Sequence, residues 1–318
     1  MTLDDAVRLL GLSREARWTF PSSSGRPVPR EAPEWVERFL AEKASFVEAA
    51  HLLLASGHAQ QATEIAANVW RLWILSRDIG GGHAFLSVVL DAAPPEPTRA
   101  RALALYGDGL FAFWRGALDE ARARNDAAVA AAQASGDPEA LALAHLGRSR
   151  VALSDGDHAL ARTLAERARE LARPRGEAMG QAPLHMCAQA AWAEEDLAAA
   201  AALFSESLEL NRRIGDEGMV VVELHNLGHV EVRRGNVDEA ERLFEECARH
   251  EKADDAYGLA MREVNAAAIA CARRQRDLAL DRLSRAEAML SKLGVDPSAE
   301  DQSEIRWVRS QLSRPDGA

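Results

Sequence analysis

A chain of 318 residues with a formal charge of −11 at pH 7 repels a phosphate backbone, which argues against nucleic-acid binding. The composition is 47% hydrophobic but only 5% aromatic, with alanine-rich stretches at 127–132 and 198–202, and no β-branched run alternates with polar residues, so strand-based folds are excluded in favour of helix. No apolar run nears the ~18 to 20 residues that span a bilayer and no charged-then-apolar leader opens the chain, so a cytoplasmic protein is expected; Cys187, Cys247 and Cys271 match neither a disulfide framework nor a zinc spacing and read as core residues.

Residues 1–32 read as an N-terminal helix and a linker. Leu3, Val7 and Leu10 recur at helical spacing, whereas Phe20 to Arg30 is rich in serine, proline and glycine, the composition of a connecting segment. Residues 33–58 read as a capping helix, because Trp35, Phe39, Phe46, Ala50 and Leu53 recur near helical period after Pro33.

Residues 59–293 carry a repeat. Small residues stand at Gly82, Ala121, Ala161, Ala200, Ala240 and Ala279, separated by 39, 40, 39, 40 and 39 residues. Twelve positions before each lie Trp70, Gly109, Ser149, Ala188, Gly228 and Ala267; seven after lie Val89, Ala128, Ala168, Ser207, Cys247 and Ala286. Rows of small side chains at fixed offsets are what closely approaching helices need, so the register gives six helix pairs. Gly136-Asp137 and Gly215-Asp216 join successive pairs, glycine ending one helix and aspartate capping the next. In 294–318, Ile305, Val308 and Leu312 give a last capping helix one apolar stripe before the tail.

With glycine or alanine on the first helix and small residues on the second, these units resemble the tetratricopeptide repeat family. Their period exceeds that family's usual ~34 residues and most units lack its closing proline, so longer helices or longer joints are expected. The stretches Ala67 to Trp73, Pro94 to Pro97 and Leu224 to Gly228 make the chain similar to the long-period arrays of bacterial LuxR-type, ATP-dependent transcriptional regulators. No lysine follows a glycine, so the phosphate loop of such ATPases is missing, and neither their ATPase nor their DNA-binding domain is present. The resemblance implies an all-α, right-handed superhelix of helix pairs whose first helices line a concave groove.

Several residue groups invite a chemical reading. Gly80-Gly81-Gly82 would cradle a phosphate after a strand, but here belongs to the turn of the first repeat. Glu194, Glu195 and Asp196 fall in another turn, and no nucleophile elbow or paired-histidine metalloprotease motif accompanies them; no enzyme and no cofactor are expected. His225 and His229 stand four apart on one helix, a spacing able to hold a metal, with His185 one repeat earlier, but no further ligand is legible.

The sharper signal lies on the first helix of each pair. Tyr106, His185 and His225 stand fifteen before their small residues, Arg71, Arg150, Gln189 and His229 eleven before, Asn226 and Asn265 fourteen before, and Phe113, Trp114, Trp192 and Arg233 seven or eight before. Equal offsets become neighbours on adjacent repeats, so one groove with aromatic walls and several donors is expected. Its reading is a non-enzymatic scaffold gripping a peptide or protein partner in bacterial regulation; the alternative is a small-molecule effector sensor using the same groove.

Overall fold

The computed structural model describes residues 1–16, 34–250, 255–294, 297 and 299–313. The expected linker at Phe20 to Arg30 lies outside the described residues. Every regular element among them is helical: α1 Leu3–Ser13, α2 Glu34–Ala41, α3 Lys43–Ala55, α4 Ala59–Val69, α5 Arg71–Leu75, α6 Ile79–Ala92, α7 Arg99–Trp114, α8 Leu118–Ser135, α9 Pro138–Ser154, α10 His158–Ala172, α11 Glu177–Ala193, α12 Leu197–Ile214, α13 Glu217–Arg234, α14 Val237–His250, α15 Ala256–Ala272, α16 Arg276–Leu293 and α17 Ala299–Ser313. They fall into two compact units, Met1–Glu194 and Glu195–Ala318.

In the first unit α7 packs on α8, α8 on α9, α9 on α10 and α10 on α11; in the second, α12 packs on α13, α13 on α14 and α15 on α16. Consecutive helices pack as tetratricopeptide-like hairpins because the three repeat rows lie at their crossings, and every residue of those rows is buried. At Gly228 an added Cβ would fall 2.7 Å from Phe244 Cδ1, and at Gly82 it would fall 2.6 Å from Phe111 Cε2. These rings fill the space that the missing side chains leave.

The long period is absorbed by long helices, with α8, α12, α13 and α16 reaching 18 residues each. The joints are short. Gly136 and Gly215 close α8 and α12 in the left-handed region (φ 67° and 73°), while Asp137 and Asp216 accept the Ala140 and Met219 amides at 2.8 and 3.0 Å. Glycine adopts that backbone region without a Cβ clash, and the aspartate satisfies an otherwise orphaned helix N–H.

Two local expectations are corrected. The helix expected at the start of the first repeat is interrupted between α4 and α5 at Trp70, whose fully buried indole occupies a row held elsewhere by small residues. Gly107 opposite supplies the room, since a Cβ there would meet the indole at 2.8 Å. The single capping helix divides into α2 and α3, although Phe39, Phe46, Ala50 and Leu53 are buried as expected. The expected helix at the start of the chain forms as α1, with Ala6, Leu9 and Leu10 buried and Leu3 and Val7 exposed.

Glycine substitutions separate crossing from filler positions. Gly228→Ala should lower the melting temperature despite alanine's better helix propensity, because overpacking costs about 1 to 3 kcal/mol. Gly180→Ala on α11, where no neighbouring atom lies within 4 Å of the added Cβ, should raise it, by about 0.4 to 1 kcal/mol in stability. Calorimetry of both variants checks the register; equal responses would contradict it.

Candidate functional site

The candidate residues gather in two places, one in each unit. In the first unit, α7 packs on α4 and α9, and α9 on α11, so the side chains at equal offsets share one face. Arg71 is buried and lies 4.5 Å over the Trp70 ring, and burial pushes its guanidinium down to about 10. Tyr106 is wholly buried, its ring edge-on to Trp70 at 5.8 Å, and its hydroxyl accepts from Arg150 Nη1 at 3.1 Å. Arg150 is only 7% exposed, and among the described residues its partner is this neutral hydroxyl. The buried Trp70 Nε1 has no acceptor. His185 and Gln189 are buried on α11, while Phe113, Trp114 and Trp192 are partly exposed at the C-terminal ends of α7 and α11.

In the second unit the groove residues meet a helix of their own chain. His229 is 2% exposed; its Nδ1 lies 3.0 Å from Glu304 Oε2 and its Nε2 lies 2.9 Å from Asn265 Oδ1. Arg233 Nη2 donates to both Glu304 oxygens at 3.1 and 3.0 Å, and its guanidinium lies 5.5 Å over the Trp307 ring. One turn earlier His225 Nε2 is 3.3 Å from Asp301 Oδ1, and Tyr257 Oη donates to Asp301 Oδ2 at 2.5 Å. The His225 and His229 rings stand 4.7 Å apart. Asn226 Nδ2 is buried without an acceptor. Burial opposes the charge on Glu304, but His229, Arg233 and His225 outweigh it and hold the carboxyl below the usual carboxylate range.

Sequence reasoning missed Asp301, Glu304, Trp307 and Tyr257. The available signal was that Glu304 sits beside Ile305 and four residues before Val308, on the apolar stripe of α17, where an acidic residue needs a partner.

Metal chemistry has a weak geometric foothold. His83, Asp108 and Glu120 place ligand atoms within 4.8 Å of one another. However, Arg124 Nε lies 2.9 Å from Asp108 Oδ2 and Arg115 lies 3.9 Å from Glu120, so guanidinium charge already faces both carboxylates. Burial pushes the Asp108 carboxyl above its ordinary range against the pull of Arg124 and His83. This cluster ties α6, α7 and α8 together as an ion-pair network. His225 Nε2 faces Asp301 and His229 Nε2 faces Asn265, so these two nitrogens point to separate partners.

The other groups with a possible chemical reading have structural roles. Gly80, Gly81 and Gly82 form the first turn of α6, where Asp78 caps the Gly81 amide at 2.9 Å. Glu194 pairs with Arg162 at 2.8 Å, and Asp196 caps α12. Cys187 and Cys247 are buried, while Cys271 is partly exposed. No helix among the described residues is long and apolar enough to cross a membrane.

No family model matches the chain, and no curated protein does. Solved structures do. A chain of the APC/C hetero-tetramer Cut9-Hcn1 matches with TM-score 0.60 at 15% identity over 87% of this chain, which spans about half, 49%, of that one. A Rap protein complexed with competence and sporulation factor matches with TM-score 0.60 at 14% identity, over 87% of this chain and 80% of that chain. NprR in complex with its cognate peptide NprX matches with TM-score 0.56 at 14% identity, over 88% and 84%. At these identities the likeness concerns the fold, which is all-α and of the tetratricopeptide type.

Because the folded Glu304 carboxyl is more acidic than in the unfolded chain, its contribution is complete above the unfolded value of about 4.3 and is lost as pH falls through the folded one. Glu304→Gln should melt lower than wild type at neutral pH, with the gap narrowing as pH drops below ~4.5. Melting curves from pH 7 to 3 check this; a constant gap would deny the carboxylate its role.

Proposed function

We propose that the protein is a non-catalytic binding module whose first-helix faces hold a peptide or protein segment bearing a carboxylate, in a bacterial regulatory setting. The observation that carries this reading is the Arg150 environment. A guanidinium buried against a neutral hydroxyl has, among the described residues, no carboxylate to balance its charge in a place where water is scarce. A ligand carboxylate supplies that charge, and arginine matches it with a bidentate fork. Phe113, Trp114 and Trp192 offer partly exposed aromatic area near the helix ends, the kind of surface that supplies affinity. The peptide in the NprR structure and the factor bound to Rap support the same use of this fold. The regulatory setting extends the sequence resemblance to regulator arrays.

A second reading, a small-molecule sensor, is favoured by a recess of about 510 Å³ between α2, α3, α5 and α6, lined by Leu40, Val47, Trp73, Phe85 and Val88 with Lys43 at its rim. Its size falls within the range of ligand pockets. It lies apart from the residues chosen for the groove.

Native mass spectrometry of the protein recovered from its own host separates the two readings, since a bound peptide or chain supports the first and a bound small molecule the second. The species found is then titrated calorimetrically against Arg150→Ala and Trp114→Ala. Arg150→Ala should cost about 2 kcal/mol, roughly thirtyfold in affinity, with helicity unchanged. Wild-type affinity in both variants would move the functional surface elsewhere.

A further inference from the structure

We infer that the recess between α2, α3, α5 and α6 is a binding site for a small, uncharged, largely apolar molecule. The inference rests on the small-molecule reading and gives that ligand a chemical class. It begins from a place where the packing pattern is left open. At other close approaches a ring fills the space above a small residue, as Phe244 does at Gly228 and Phe111 at Gly82. Around the recess Ala44 of α3 and Ala84 of α6 are exposed, and the nearest neighbours of an added Cβ at Gly81 belong to Asp78, the cap of its own helix. A space of about 510 Å³ is left, lined by the buried Trp73 and Phe85 rings, stacked at 4.7 Å, and by Val47 and the half-exposed Val88.

Size and charge choose the occupant. A helix with its side chains is about 10 to 12 Å across and climbs about 5.4 Å per turn, so the recess takes roughly one turn of it, whereas its volume suits a small molecule. The one lysine on the lining already has partners: Lys43 Nζ donates to Ser76 Oγ at 2.8 Å and to Asp78 Oδ2 at 3.1 Å, and it lies 5.0 Å from the Trp73 ring centre. An anionic ligand would therefore bring its charge up to Asp78 as well as to Lys43. A cationic one would find Lys43 already over the Trp73 ring, where a ring face attracts a cation. Either charge would shed water without gaining a free counter-ion, while an uncharged body covers the two rings and the aliphatic walls at no such cost. The other polar side chain on the lining is His51, whose ring can give or take a hydrogen bond, so a single hydroxyl or carbonyl is the polarity the site accommodates.

The test titrates the full chain with N-phenyl-1-naphthylamine, an uncharged probe whose emission rises in apolar surroundings. The probe is then displaced with decanol, decanoate and decylammonium, which share one chain length and differ at the head group. It should saturate at one per chain, and decanol should displace it at a concentration about tenfold below that of either ion, the ratio expected for a charge left without a counter-ion. Ala84→Phe places a ring in the recess at an exposed position and should weaken the probe about tenfold with the melting curve unchanged; Ala44→Phe does the same from the facing wall. Asp78→Asn keeps a residue able to cap α6 but removes the counter-charge of Lys43, and should bring decanoate level with decanol or ahead of it. Probe binding that does not saturate, or that both ring-bearing variants leave intact, would overturn the site and with it the small-molecule reading of this recess. Saturable binding lost in those variants, but with either ion level with decanol on the wild type, would overturn the uncharged class alone. An order of the three compounds that Asp78→Asn leaves unaltered would do likewise.

Discussion

The structure depends on how closely two helices approach where neither carries a bulky side chain. At Ala121, Ala161, Ala200, Ala240 and Ala279 a methyl group is all that stands in the crossing, and all five are fully buried. Close packing converts this spacing into a shape requirement, because a gap of one methylene is felt throughout an interior as dense as an organic crystal. Each crossing must therefore be matched by a ring or branched chain on the facing helix. Phe244 opposite Gly228 and Phe111 opposite Gly82 are such matches. The repeat is in this sense a repeat of absences, each filled by its neighbour.

That constraint explains which features could be read from the sequence. The rows beginning with Gly82, Trp70 and Val89 were legible because sterics tolerate little variation at a crossing, and every member is buried. Trp70 was visible as an exception, but the break it makes between α4 and α5 was not, since its accommodation depends on Gly107, far away in the chain. Spacing placed an apolar stripe on α1 without saying which edge of it meets a neighbour. Leu3 and Val7 are exposed, whereas Ala6 is not.

The candidate site was legible by offset but not by partner. Offsets about one helical turn apart on adjacent repeats, fifteen with eleven and eleven with fourteen, brought Tyr106 and Arg150 together, and His229 and Asn265. What these residues would face was not encoded locally. Asp301 and Glu304 lie far along the chain from His225 and His229, and an acidic side chain on a surface helix ordinarily signals solvent. Only their place on the same side as Ile305 and Val308 marks them as buried partners. Trp307 was similarly overlooked because the apolar stripe of α17 was traced through aliphatic residues alone.

The two polar clusters represent different solutions to one electrostatic problem. A buried ion is costly unless charge and hydrogen-bonding capacity are both met. Glu304 meets this requirement with His229 and Arg233, so its charge is stabilised despite burial. Arg150 is held instead by one hydrogen bond to the neutral Tyr106 hydroxyl, with no carboxylate beside it among the described residues.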